Sequence, residues 1–271
     1  MHFGNVIHEV IEQVYAYYAP RRDIDTLEQV TTDAIDSIGI IKERDLKRVY
    51  TEGSTYPEEA ADITRNCLMA EPIIRGYLNQ WWEEDRKRNW NGFETVFRVE
   101  YETEKRLGLA SKGNYPNIPV NGKIDRSHWT NAGKLSIWDT KTKGRIETGN
   151  ISDRLAIDSQ VFLYTWASSR HYGTQPTSAY YDIIRRPQLK QKQTESLPEF
   201  VERIREAIAK EPEHYYIRFE SAINAVSLRA WEKRLDAAMR RLIQWYEGFT
   251  DDWENPWHYL SDGACFGAGF T

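Results

Sequence analysis

Gly122-Lys123-Ile124-Asp125 and, after a short interval, Ile137-Trp138-Asp139-Thr140-Lys141 place two acids and a lysine on two β-rich runs, Val120 to Trp129 and Leu135 to Thr140. Asn131-Ala132-Gly133 between them suits a tight hairpin. Side chains alternate along a strand, so Asp139 and Lys141 leave the same face. Leu135 and Ile137 share that face. Charge beside an apolar wall is costly unless it is paired or bound to a cation. The hairpin brings Asp125 alongside Asp139, and two converging carboxylates repel one another without a cation between them.

On the N-terminal side, Thr95 to Tyr101 predicts a third strand of the same meander. The chain before it reads as helical. Val6, Val10, Val14 and Tyr17 recur at helical spacing from Gly4 to Ala19, two helical stretches fit between Asp25 and Thr51, and Pro57-Glu58-Glu59 opens a longer helix running toward Asn89, with Pro72 as a possible kink. On the C-terminal side, helical periodicity spans Asp153 to about Tyr172, a strand fits Ser178 to Ile184, and Arg185 to Ser196 is polar loop. Helices fit Leu197 to Lys210 and Leu228 to Glu247, with a short strand at Tyr215 to Phe219. This order predicts a mixed α/β fold, a central mixed sheet flanked by helices with helical elaborations at both ends, rather than a doubly wound parallel sheet. One domain is expected over 1–271: a helical lead-in over 1–90, a core over 91–185 and a helical part over 186–271.

Composition narrows the setting. No segment approaches the roughly 20 apolar residues that cross a bilayer, and the N-terminus lacks the pattern of a secretory signal. Two distant cysteines, Cys67 and Cys265, make no disulfide scaffold, which favours an intracellular, cytoplasmic setting. The net charge of -5 argues against coating nucleic acid by bulk electrostatics but leaves local grip open. Local basic positions, Lys141, Lys143, Arg145, Arg154, Arg185-Arg186 and Lys190 with Lys192, would either line the path of a polyanion or lie solvated.

Hard oxygen ligands at Asp125 and Asp139 suit Mg²⁺ or Mn²⁺, and Lys141 beside them suits the charge of a phosphodiester under attack. A surface ion pair between Asp139 and Lys141, with Asp125 an unrelated turn acid, is the commoner meaning of that spacing when it is taken alone. His8 on the first helix is either an interior side chain or the ligand that completes a site tolerant of Mn²⁺. Gln160 and Tyr164 lie one helical turn apart, placed to hold a phosphate or base or to pack on the sheet.

Together these segments resemble the RecB-like branch of the PD-(D/E)XK nucleases, which includes viral exonucleases. Gly4-Asn5-Val6-Ile7-His8 resembles its Gly-x-x-x-His helix, Gly122 to Asp125 its Gly-x-x-Asp strand, Asp139-Thr140-Lys141-Thr142 its Asp-x-Lys-Thr strand, and Gln160 to Tyr164 its Gln-x-x-x-Tyr helix. The resemblance implies a restriction-endonuclease-like core. It implies metal ligation by His8, Asp125, Asp139 and the Thr140 carbonyl, and Lys141 as the catalytic lysine. Gln160 and Tyr164 would contact DNA or brace the site, and Glu100 is the candidate accessory acid. DNA ends or single strands are the implied substrate, in recombination, repair or viral DNA processing, and the chain would come from a bacterium or virus. A nuclease-like module active only with a helicase or recombination partner is the alternative. Many relatives hold an iron-sulfur cluster on four cysteines; with Cys265 as the only late cysteine, no such cluster is expected.

Overall fold

The computed structural model describes residues 3–18, 26–51, 57–108, 117–144, 151 and 157–248. Its elements, in chain order, are α1 (Phe3–Tyr18), α2 (Leu27–Thr51), α3 (Pro57–Asp85), β1 (Asn89–Tyr101), α4 (Thr103–Leu107), β2 (Ile118–Trp129), β3 (Leu135–Lys143), α5 (Ser159–His171), β4 (Ser178–Arg185), α6 (Leu197–Lys210), α7 (Pro212–Tyr215), β5 (Tyr216–Ala222) and α8 (Ala225–Gly248). The five strands form one sheet in sequential order. β1, β2 and β3 run antiparallel, β3 and β4 parallel with α5 in the crossover, and β4 and β5 antiparallel. The sheet is therefore mixed, as the element order predicts.

β4 divides two cores by alternation. Ala179, Tyr181 and Ile183 pack with α5 and α8, while Ile184 packs with α1, α2, α3 and α6. Helices thus cover both faces of the sheet. The hairpin between β2 and β3 closes as expected, with Gly133 at φ 68° and its N–H donating to the Thr130 carbonyl. Gly122 has a packing reason: a Cβ there would lie 2.3 Å from Phe97 Cζ.

Several boundaries differ from the expectations. Residues 27–51 form one helix rather than two, since Gly39 sits in it with open space around it and costs only about 1 kcal/mol. α3 carries Pro72 in its interior and continues to Asp85. α1 buries Val6, Ile7, Val10, Ile11, Val14, Tyr15 and Tyr18, and Tyr17 faces solvent. α5 starts at Ser159 rather than Asp153, because the Asp158 side chain caps it by accepting from the Gln160 N–H. The Asp153 start itself lies outside the described residues. β1 begins at Asn89, ahead of the expected Thr95, and α6 matches its expected bounds, with a capping box between Ser196 and Glu199.

Candidate active site

Pairing of β2 with β3 runs from Trp129↔Leu135 to Arg126↔Trp138 and stops there. The next residue on each strand is an acid, Asp125 and Asp139, both buried. The Thr140 N–H, released from the ladder, donates instead to Asp125 Oδ2 at 2.7 Å. Two carboxylates thus stand where the strands part, and the backbone of β3 holds one of them.

α1 closes this end. His8, Glu12 and Asp125 each bring a ligand atom within 4.8 Å of the others. Glu12 is 7% exposed, and the Lys123 ammonium lies 3.6 Å from its Oε2. Burial lowers the His8 pKa against the pull of Asp125, so the imidazole is held toward its neutral, ligating form. Glu12 was absent from the sequence-based candidates. Its signal was its place one helical turn after His8, on the same face of α1.

Asp139 stands beside this trio, with Oδ2 2.9 Å from Lys141 Nζ. The contact is poorly aligned, and that buried oxygen accepts no well-formed hydrogen bond. Burial pushes the Asp139 carboxyl up to about 7; Lys141 pulls it back only in part, and Asp125 adds repulsion. Lys141 Nζ also donates to Gln160 Oε1 at 2.8 Å, and Gln160 Nε2 donates to the Tyr164 hydroxyl at 2.7 Å. The expected lysine, glutamine and tyrosine are therefore one chain of hydrogen bonds. Tyr164 packs edge-on to Phe97, with ring centroids 6.3 Å apart, which seats the motif of α5 on the strands beneath it. The cap Asp158 accepts from the Tyr181 hydroxyl, so the start of α5 is tied to β4.

The other expected residues divide. Thr140 is buried at the site, and its hydroxyl accepts from Arg126 Nη2 at 2.9 Å. Glu100 is not brought to the site: it pairs with Pro119 far along β2 from Asp125, and it is exposed. The resemblance offered Glu100 by its strand alone, and the β1–β2 register sets it opposite Pro119, six residues along β2 from Asp125. Lys143 lies two residues beyond Lys141 on the wall of a neighbouring cavity. Arg145 and Arg154 lie outside the described residues.

The donor set fits a divalent cation. It offers the imidazole of His8 and the carboxylates of Glu12 and Asp125, with a third carboxylate, Asp139, whose buried Oδ2 is under-satisfied, and the carboxylate oxygens are hard donors of the kind that hold Mg²⁺ or Mn²⁺. His8, Glu12 and Asp125 would hold the ion, with Asp139 adjoining. A mixed sheet whose central strands part around clustered acids, with a lysine two residues on, can hold a divalent cation and a cationic side chain beside a phosphate ester. The family model of the PD-(D/E)XK nuclease superfamily matches residues 1–257, and the chain belongs to that superfamily. Its fold is the restriction-endonuclease-like one, and its members are nucleases that use divalent metals and bind nucleic acid. No curated protein matches the chain. Among the described residues no helix is long and apolar enough to cross a membrane.

Proposed function

We propose that this chain is a Mg²⁺- or Mn²⁺-dependent DNA exonuclease of the RecB-like branch, acting on strand ends or single strands in recombination, repair or viral DNA processing. The observation that carries the reading is the meeting of His8, Glu12 and Asp125 next to Asp139 and Lys141, where β2 and β3 part. His8, Glu12 and Asp125 are the metal ligands in this reading, joined by Asp139 and the Thr140 carbonyl beside them, and Glu12 takes the accessory-acid place first given to Glu100. A divalent ion bound there supplies the Lewis acidity that makes water a nucleophile at neutral pH and offsets charge on the phosphate. Lys141 is the catalytic cation. Gln160 and Asp139 fix its ammonium from two sides, and Tyr164 fixes Gln160, so the positive charge is preset rather than recruited.

Cys67, a free buried thiol, supports an intracellular and cytoplasmic setting. The test is a time course on single- and double-stranded DNA labelled at the 5′ or the 3′ end, in Mg²⁺ and in Mn²⁺. Progressive release of label from one end is expected. Nicking of closed circular DNA as fast as linear DNA would contradict the exonuclease assignment, and metal-independent cleavage would contradict the mechanism.

A further inference from the structure

Beside the acids lies a cavity of about 360 Å³, lined by the first residues of α1, the end of β3 and the segment after β4. Its walls continue the two elements that carry the site. Gly4 precedes His8 by one turn of α1, and Thr142 and Lys143 follow Lys141 on β3. The cavity is therefore next in sequence, on both α1 and β3, to the residues that carry the acids and the lysine.

The chemistry of the lining is one-sided. Lys143, Arg186 and Lys190 contribute three cations, and among the described residues the lining includes no carboxylate, in a chain whose net charge is -5. Phe3, Pro187 and Leu189 supply apolar surface next to those cations, and the Arg186 guanidinium sits 4.9 Å over the Phe3 ring. Cations for a phosphate beside apolar surface for a sugar and base are the two halves of a nucleotide site. The volume is at the low end for small-ligand sites, room for about one nucleotide.

The third wall is held in place. The Arg186 N–H donates to the Lys143 carbonyl at 2.8 Å, which extends the β3–β4 pairing by a residue. Gln188 Nε2 donates to the Arg186 carbonyl, and the Lys190 carbonyl accepts from Arg203 Nη2 at 2.9 Å. Arg203 is itself clamped by both carboxylate oxygens of Glu195. These bonds use the backbone of Arg186 and Lys190, and both side chains are exposed.

We infer that this cavity is the seat of a single nucleotide of the substrate strand, the one adjoining the phosphodiester at the metal-binding acids, gripped at its phosphate by Arg186 and Lys190. The inference rests on the nuclease reading for its biological use but not for its test. Thymidine 5′-monophosphate and unphosphorylated thymidine are titrated into the full chain in EDTA by calorimetry, with wild type, Arg186→Gln, Lys190→Gln and the double variant. Saturable binding of the monophosphate at one site is expected, weakened about fivefold by each substitution and at least twentyfold by both, and falling with added salt. Thymidine should bind at least tenfold more weakly than the monophosphate, and Mn²⁺ affinity should be the same in all four proteins. On single-stranded DNA the variants should raise KM more than they lower kcat. No binding of the monophosphate by wild type, or equal binding by the double variant, overturns the seat. Cleavage by wild type with KM untouched in the double variant overturns the seat and leaves the nuclease reading standing. Monophosphate bound at these residues in a protein that cuts no DNA supports the seat and overturns the nuclease reading.

Discussion

Asp182 on β4 and Asp139 on β3 are both buried carboxylates, and they stand one position apart across the parallel pairing, where Asp182 faces Thr140. Burial raises the pKa of each. For Asp182, the Arg218 and Arg126 guanidiniums outweigh it and hold the carboxyl at about 2. Arg218 donates to Asp182 Oδ1 at 2.9 Å and, with two nitrogens, to Asp85; Arg126 and the Tyr77 hydroxyl also donate to Asp182, and the Tyr15 hydroxyl donates to Asp85. For Asp139, one lysine shared with Gln160 does not suffice, and the carboxyl rises to about 7. Buried charge alone therefore does not mark a functional site in this fold. The Asp182 side is closed by its own partners, whereas the Asp139 side is left short of positive charge, as a cation-binding site must be.

The contrast can be broken first at Asp182. Asp182→Ala leaves Arg126 and Arg218 buried without their shared partner, and urea unfolding should show a loss of about 3–5 kcal/mol. Asp139→Asn removes a carboxylate that the metal-free fold pays to keep ionised, so in EDTA its unfolding midpoint should be equal to or above that of wild type. A large loss at Asp139 would erase the distinction between the two sides.

Metal should sharpen it. With Mn²⁺ at about 100 times its dissociation constant, stability at pH 8 should rise by about 2.7 kcal/mol, and the gain should vanish in Asp125→Asn. At pH 5 the gain should be smaller, because Asp139, at about 7 in the metal-free fold, then holds a proton that the cation must displace. Scanning calorimetry at both pH values checks this.

Acid acts on the other side. The Asp182 pKa is depressed in the folded state, so its contribution is fully present above the unfolded value of about 3.9 and is lost as pH falls toward 2. A loss on the order of 2 kcal/mol is expected across that window in EDTA, and Asp182→Asn should flatten this part of the pH profile. The smallest expected effect is at the join between the two sides. Thr140→Val removes the hydroxyl that accepts from Arg126 and should cost about 1 kcal/mol of stability, with a Mn²⁺ affinity a few-fold weaker.

Much of the site side was legible in sequence because its signals are local. Alternation put Asp139 and Lys141 on one face, the turn residues fixed the hairpin, and helical spacing aligned Gln160 with Tyr164. The paired side was not legible. Arg126, Asp182, Asp85 and Arg218 come from β2, β4, α3 and β5, and no spacing within one element announces their meeting. Glu12 falls between these cases. Its relation to His8 was local, but its burial depended on α1 lying against the open end of β2. Glu100 is the converse case: it was offered by its strand, and the register that sets it apart from Asp125 is a tertiary fact. Helix boundaries differed where the structure tolerates an interior glycine, Gly39 in α2, and where a side chain caps a helix, Asp158 at α5.

The central claim is that the under-satisfied acids at the parting of β2 and β3 hold a divalent ion that cuts DNA. It is tested most directly by cleavage of end-labelled DNA by wild type and Asp139→Asn, with Mn²⁺ or with EDTA, and with each protein's unfolding midpoint measured alongside. Cleavage by wild type in Mn²⁺ alone is expected, with a loss of at least about 10³-fold in a variant that unfolds no earlier than wild type. Cleavage that persists in EDTA, or an Asp139→Asn protein that cuts at the wild-type rate, would contradict it.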